Sequence, residues 1–521
     1  MYADKSAAEN KLDAGEKRDY SDALPIQSDR AVKGARDKKK VNECLRMHGI
    51  KTARDYNRNE KPYVHEYRIW IGHLEVIGME EEAKNLLSGI SQAVLFGRSE
   101  KKEIRLHELT FHERRAVKEA SKAVYALGLS SAEVIVGILA SGHTLIKEVN
   151  PDPVLPPRIL GKWKESLQLY EKTMEQERSR TGPPVLGCDP EFILVSEQGK
   201  AVRASRYLDR EGQVGSDGLV LQGHQTEQLI AELRPLPSDD PFVLMANLRS
   251  AMHLASRKLP FRITWRSGGM PLKGFPLGGH IHFSHIRLNV HLLRALDNYL
   301  AMPLVLAEGI TTRFRRPRYG FLGDYRRQRH GGFEYRSLPS WLVEPDLTEG
   351  IFCLSALIAS HYLELNKLPL QELSFQRAYY EGGKNMLVEP VKEVWSELEN
   401  LSGYRRYRAR LDWMKSRLLS LKPWEEERDV RLAWEIPPSP EKKIRIVKSC
   451  YNSKCRRLRR PGRRSFPVLL LSRNDFDAKF LSFDKRHGLE VTYVFPIYTN
   501  DPTISRYKRN RTGCFSVFPT R

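Results

Sequence analysis

Four short stretches of this 521-residue sequence gather acids, histidines and arginine. They are Gly187-Cys188-Asp189-Pro190-Glu191-Phe192, Glu232-Leu233-Arg234-Pro235, Gly278-Gly279-His280-Ile281-His282-Phe283 and Glu334-Tyr335-Arg336-Ser337. In an extended strand, residues two apart point to the same face. Asp189 therefore sides with Glu191, His280 with His282, and Glu334 with Arg336. Four such strands in one sheet would crowd carboxylates, imidazoles and a guanidinium onto one surface. Neighbouring carboxylates repel, and a divalent cation relieves the repulsion. A ligand set of oxygen with some imidazole suits magnesium or manganese.

The surrounding pattern supplies the elements. From Val185 the sequence reads as strands and turns: Val185–Val195, Leu219–Leu221, Gln228–Pro235, Phe261–Arg266, Gly279–His285 and Phe333–Ser337. Amphipathic or apolar helices are expected at Phe242–Leu259, Val290–Leu306 and Ile351–Leu363. Strands interleaved with helices without a regular βαβ beat predict an α+β fold with a mostly antiparallel sheet flanked by helices. Five segments follow: a disordered charged arm at 1–40, a helical N-terminal region at 41–180, a core at 181–380, a charged helical region at 381–440 and a basic C-terminal extension at 441–521. The helical expectation for 41–180 rests on Ile69, Ile71, Leu74, Ile77 and on Leu86, Leu87, Ile90, Val94, Leu95. The extension holds short apolar runs at Val468–Leu471 and Val491–Tyr498, expected to be β-rich.

The formal net charge is +22. It favours an anionic partner without choosing among nucleotide, nucleic acid, cell-wall polymer and acidic protein. Residues 442–464 contain no acid, and their Arg456–Arg460 centre reads first as a solvated charge run, with nucleic acid, an acidic protein or another polyanion as the alternative partner. Six cysteines in so long a chain do not form a disulfide framework. Met1–Arg30 is polar, without the apolar stretch of a secretory signal, so a cytoplasmic location is expected, that of the host cell if the chain is phage-encoded. No run approaches the roughly 20 apolar residues of a membrane span.

Taken in order, the four motifs resemble those of the glutamine synthetase and glutamate–cysteine ligase superfamily, and more closely the phage-type carboxylate–amine ligases (amidoligases, type 2). The resemblance covers about residues 185–365. It rests on Asp189-Pro190-Glu191-Phe192, the His280-Ile281-His282 strand, Glu334-Tyr335-Arg336 and the segment Tyr319–Arg326. It implies a glutamine-synthetase-like sheet and ATP- and magnesium- (or manganese-) dependent ligation of a carboxylate to an amine through an acyl phosphate. It also implies roles. Asp189, His280 and Glu334 would hold one metal, and Glu191 and Glu232 another. His282, Arg336 and Arg318 would face the nucleotide phosphates. Arg336, Glu334 and Arg326 would serve catalysis. Whether Asp217 or Glu227 completes the second metal's shell stays open. A reactive acyl phosphate needs shelter from water, and the Arg-rich stretch Arg313–Gly332 is the expected lid. Carboxylate and amine substrates on a peptide, protein or cell-wall component all fit.

Two rivals share the features. A phosphotransferase could use the same scaffold, and a basic nucleic-acid- or virion-binding protein could carry a vestigial site. Other motifs fail on spacing. His107-Glu108-Leu109-Thr110-Phe111-His112 is one residue too long for the zinc-protease helix, Cys450 and Cys455 lack a second pair, and no Gly-x-x-x-x-Gly-Lys-Ser/Thr loop occurs.

Overall fold

The computed structural model describes residues 27–55, 63–82, 101–220, 226–437, 468–470, 479–484 and 488–493. The chain divides into two units, Met1–Lys442 and Lys443–Arg521. The segments expected at 41–180, 181–380 and 381–440 lie together in the first.

The first unit contains two antiparallel sheets. In chain order its strands are β1 His65–Gly72, β2 Glu75–Glu82, β3 Lys101–Glu103, β4 Ser131–Ile138, β5 Thr144–Asn150, β6 Val185–Val195, β7 Ala201–Val202, β8 Val214–Val220, β9 Thr226–Leu233, β10 Thr264–Arg266, β11 Gly279–Ser284, β12 Tyr325–Arg327 and β13 Phe333–Tyr335. The larger sheet runs β12-β13-β11-β6-β9-β8, and β7 and β10 also pair with β6. The antiparallel sheet flanked by helices is the fold class expected from the sequence.

Strand alternation divides the two faces of this sheet. Along β6, Leu186, Cys188, Phe192 and Leu194 point one way with Ala231, Leu233, Ile281, Phe283, Phe333 and Tyr335, and all are buried in the main core. Helices α5 (Pro241–Lys258), Val290–Leu296, Pro345–His361, Lys384–Glu399 and Tyr404–Leu419 contribute the other side of that core. Burying each large apolar side chain there stabilises the fold by roughly 1.5–3 kcal/mol. The opposite face receives Gly187, Asp189 and Glu191. Beyond Glu191 the same face closes over a small apolar cluster of Ile193, Val195, Ile230 and Leu277.

The N-terminal region adds a second sheet, β3-β2-β1-β4-β5, to the helices expected there. Helices α1 (Asp29–Arg36), α2 (Lys38–Met47), α3 (Phe111–Ala126) and α4 (Pro157–Arg178) accompany it. The strands at 65–82 correct the helical expectation for Ile69, Ile71 and Ile77. Ile69 and Ile71 stand two apart, a strand period, and the hairpin turn is made by His73 and Leu74, both with positive φ (50° and 72°). Neither is a residue type that announces such a turn. Residues 83–100, with Leu86 to Leu95, lie outside the described residues. The expectation of a disordered arm at 1–40 is corrected for its last stretch. Asp29–Arg36 is helical, and Ala35 is buried in the N-terminal core with Ala31 and Val32 packed beside it. Helix α3 starts at a capping box in which Thr110 and Glu113 satisfy each other's backbone, so His107–His112 is a helix entry.

In the second unit the backbone forms an antiparallel sheet of β14 Val468–Leu470, β15 Lys479–Asp484 and β16 Gly488–Tyr493. The basic segment 442–464, with Cys450 and Cys455, lies outside the described residues. No described helix is long and apolar enough to cross a membrane.

Candidate active site

Register builds the site on the open face of the larger sheet. His280 stands opposite Asp189, and His282 opposite Gly187. Glu334 stands opposite His282 on one side and Arg326 on the other. Glu191 stands opposite Glu232. Directly paired residues share a face, so strands up to 145 positions apart in sequence deliver one cluster. The structure brings together Asp189, Glu191, Glu232, His280, His282, Arg326, Glu334 and Arg336.

Two glycines make room. A Cβ on Gly279 would lie 2.5 Å from the Pro339 carbonyl oxygen and 2.6 Å from the Trp341 indole nitrogen. A Cβ on Gly278 would press into the His280 ring. The Gly278 N–H donates to Glu191 Oε2 at 2.6 Å, and the Trp341 indole N–H donates to the Gly279 carbonyl at 2.8 Å. The strand entry is thus clamped from both sides.

The acids are nearly all inside. Glu334 is fully buried, and Asp189, Glu191, Glu232 and His280 are less than a tenth exposed. His280 Nδ1 lies 3.0 Å from Asp189 Oδ1 and 3.1 Å from Glu334 Oε1. His282 Nε2 lies 3.3 Å from Asp189 Oδ2. These approaches are close but badly angled. Asp189 Oδ1, His280 Nδ1 and His282 Nε2 are buried polar atoms without a hydrogen-bond partner among the described residues. Such orphans are rare in folded proteins.

The donor set of carboxylate oxygen and imidazole fits magnesium or manganese. One ligand atom each from Asp189, His282 and Glu334 lies within 4.8 Å of the others. That grouping puts His282, expected at the phosphates, within reach of a metal ion shared with Asp189 and Glu334, while His280 Nδ1 faces the same two acids.

Arginines frame the cluster. Glu334 accepts from Arg326 Nε at 2.7 Å, from Gln328 Nε2 at 3.0 Å and from Arg336 Nη1. Glu232 accepts from Arg234 Nη2 at 2.6 Å. Arg234 also donates to the carbonyls of Arg210 and Gly212, at 3.1 and 3.3 Å, and so ties the 209–213 turn to the acid.

Electrostatics separates the acids. Burial pushes Glu232 up to about 9, the negative charge of Asp189 adds to the effect and Arg234 opposes it. Burial also raises Glu191, with His280 and the Gly278 N–H opposing and Asp189 assisting. Burial would raise Asp189 too, but His280 and His282 outweigh it and hold the group well below the usual carboxylate range. His280 is raised, since Asp189 more than offsets its own burial. Two acids pushed up beside one pushed down is an unequal arrangement of the kind found where proton or metal chemistry is done.

The cluster opens into a cavity of about 1240 Å³. Asp217 lines it, exposed, its carboxylate accepting from the Gly218 N–H at 2.8 Å. The side chain of Glu227 lies outside the described residues. Arg318 is not brought there: it is exposed and lies over the Tyr319 ring, 5.5 Å from its centroid. The expected lid also divides. Arg315 and Arg316 are buried, Arg315 donating to the Ser337 carbonyl at 3.1 Å and Arg316 forking onto Glu308 at 2.8 and 2.5 Å. They hold the stretch down, and the cavity meets it at Arg326 and at His330–Gly332.

Sequence reasoning missed Arg210, His285, Arg287 and His330 on the cavity wall, and Glu177, which accepts from the Arg287 N–H at 2.8 Å. His285 follows directly on β11 (Gly279–Ser284), a signal that could have found it. Nothing in the pattern links Glu177 or Arg210 to the sheet.

Residues 186–436 match the family model described as phage phiEco32-like COOH.NH2 ligase-type 2, which spans just under half of the chain. No curated protein matches the sequence. Solved structures give loose likenesses. A bifunctional glutathione synthetase from Pasteurella multocida is 11% identical over 51% of this chain and 53% of that one, with a TM-score of 0.30. GmaS without ligand is 13% identical over 59% and 81%, with a TM-score of 0.28. The macrocyclase MdnC from Microcystis aeruginosa MRC, bound with precursor peptide MdnA, is 11% identical over 28% and 64%, with a TM-score of 0.22. The chain spans about half the length of the first of these. At such scores the likenesses carry no argument.

Proposed function

We propose that this chain, which over residues 186–436 carries the phage-type carboxylate–amine ligase match, joins a carboxylate to an amine at the expense of ATP on the open face of β6, β9, β11 and β13. The observation that supports this most directly is the buried cluster of Asp189, Glu191, Glu232, His280 and Glu334, with orphaned polar atoms facing the cavity.

A carboxylate is a poor acyl donor at neutral pH. In the proposed reaction a carboxylate oxygen of the substrate attacks the γ-phosphorus of ATP, the bond to the β-phosphate oxygen breaks, and ADP leaves. The amine nitrogen then attacks the acyl carbon, the C–O bond to phosphate breaks, and the nitrogen gives up a proton. The products are an amide, ADP and phosphate.

The residues have separate tasks. Asp189, Glu334 and the paired histidines would hold one magnesium or manganese ion, and Glu191 with Glu232 a second. Such ions, when bound, neutralise phosphate oxygens and align the entering and leaving groups. Arg326 and Arg336 end on Glu334 and so stand where phosphate charge would build up, their planar forks suited to bind it. Burial of the acid cluster removes competing water.

ADP release that requires a carboxylate and an amine together would support the proposal. If Glu191→Gln and His280→Ala left that turnover intact, the reading would be wrong. A stable phosphorylated product without a new amide would favour the phosphotransferase rival.

A further inference from the structure

We infer that the N-terminal region is a brace for the active-site arginines, with Tyr125, Asp297 and the relay of His48 and Tyr380 as positioning residues for the segment from Leu322 to Arg336. The inference rests on the ligase reading only for what Arg326 and Arg336 do. The bracing itself stands on hydrogen bonds that are independent of it.

Two separate paths lead from the N-terminal region to adjacent backbone amides. The first starts at His48, which ends helix α2 and is 1% exposed. The Leu322 N–H donates to the Tyr380 hydroxyl oxygen at 3.1 Å. That hydroxyl lies 2.8 Å from His48 Nδ1, and His48 Nε2 lies 3.0 Å from Gln376 Oε1. Gln376 Oε1 can only accept, so His48 Nε2 carries the proton and Nδ1 accepts from Tyr380. Every donor in the relay then has a direction. Burial holds His48 neutral, down to about 3.

The second path starts at Tyr125 in α3. Its hydroxyl donates to Asp297 Oδ2 at 2.7 Å. Asp297 Oδ1 accepts from the Gly323 N–H at 3.1 Å and from the Tyr335 hydroxyl at 2.6 Å. One buried carboxylate thus joins the N-terminal region, the turn before β12 and strand β13. Gly323 has a positive φ of 72°, and a Cβ there would lie 2.5 Å from Tyr125 Cδ1 and 2.6 Å from its Cζ. The turn is pressed directly beneath the ring. Lys122, one turn earlier in α3, sits 3.9 Å over the Phe321 ring.

The geometry transmits to the cavity through strand alternation. Tyr335 points into the core, so its two neighbours Glu334 and Arg336 point to the open face. Fixing the Tyr335 hydroxyl on Asp297 fixes the pitch of both. The Arg336 N–H donates to the Asp324 carbonyl at 2.8 Å, so the residue after Gly323 carries the same constraint. Both paths consist of buried hydrogen bonds, whose loss leaves a partner unsatisfied, and those to Asp297 involve a carboxylate.

The test uses the full chain and two substitutions outside the cavity, Tyr125→Phe and Tyr380→Phe, each removing one hydroxyl. Hydrogen exchange of peptides covering 320–336 is compared with that of β4, with and without a non-hydrolysable ATP analogue and Mg²⁺. We expect exchange over 320–336 to rise about tenfold in either variant while β4 is unchanged, the size expected for losing one such bond. With a carboxylate–amine pair that supports ADP release, kcat should fall by about tenfold and the KM for ATP should hold, since orientation and not binding is disturbed. A merely structural role would leave that split unmoved. Unchanged exchange over 320–336 in both variants overturns the brace. So does raised exchange with unchanged kcat. If the unmodified protein releases no ADP with any pair, the ligase reading fails, and the exchange comparison alone then decides the brace.

Discussion

Gly278→Ala is the most telling substitution, because it removes no functional side chain and displaces only one, His280. The new Cβ would stand 2.8 Å from His280 Cε1 and 2.9 Å from Cδ2, and closer still to Nε2, whereas ordinary contacts begin near 3.4 Å. The His280 ring must therefore move by about 1 Å, and a misplacement of that size costs on the order of 100-fold in a positioned site. The ring cannot move without carrying Nδ1 away from Asp189 and Glu334, now 3.0 and 3.1 Å distant. The Gly278 N–H to Glu191 bond survives, as only Cα is altered. Crowding of this kind costs about 1–3 kcal/mol in stability, less than the whole of a typical domain's stability, so the chain should still fold. Manganese binding followed by electron paramagnetic resonance reads the displacement directly, without knowledge of the substrates. We expect affinity to weaken by at least about tenfold and ADP release to fall by about 100-fold. Wild-type manganese affinity in a folded Gly278→Ala protein would refute the placement of His280 among the ligands.

Four further outcomes follow from the same geometry. Glu232 is raised to about 9, above the 4.5 of an ordinary glutamate; its contribution to the stability of the metal-free protein is therefore fully present below pH 4.5 and is lost as pH rises through 9, at up to about 1.4 kcal/mol per pH unit. Binding Mg²⁺ at neutral pH should in consequence release a proton, seen as a calorimetric enthalpy that varies with the buffer; Glu232→Gln should remove that dependence, and a buffer-independent enthalpy in the unaltered protein would contradict it. Arg336→Lys loses the guanidinium fork and should lower turnover by about 100-fold with little change in unfolding midpoint. Arg316→Met leaves Glu308 buried without its partner and should cost about 3–5 kcal/mol in urea unfolding, a loss of stability and not of chemistry. Phe192→Ala opens a cavity behind the acid strand and should cost about 3–5 kcal/mol by the same measurement.

The site was more legible in the sequence than its surroundings. Period-two spacing placed Asp189 with Glu191 and His280 with His282, and the sheet delivers them on one face, because alternation is a local property of any strand. Arg318 was out of reach of such reasoning. It lies in the same Arg-rich stretch as Arg326, yet one is exposed over Tyr319 and the other ends on Glu334. Position along a loop does not encode which arginine is carried to a cavity. Arg315 and Arg316 belong to the stretch expected as a lid, while Glu308 and the Ser337 carbonyl, partners invisible to a charge count, draw them inward. The second sheet hid for a different reason, since His73 and Leu74 turn a hairpin without glycine or asparagine.

The order of strands in the larger sheet has a consequence for how the protein is made. β13, which supplies Glu334, is the last strand of the cluster to leave the ribosome; its partner β11, and β6 and β9 beyond it, all precede it in the chain. Helices α2 and α3, which hold the turn before it, are synthesised earlier still. A growing chain therefore cannot complete the cluster before residue 336 has emerged, and by then the helices that contact the turn before β12 have already been synthesised. The last strand of the cluster to be synthesised, Phe333–Tyr335, is thus the one that completes it, by pairing His282 with Glu334.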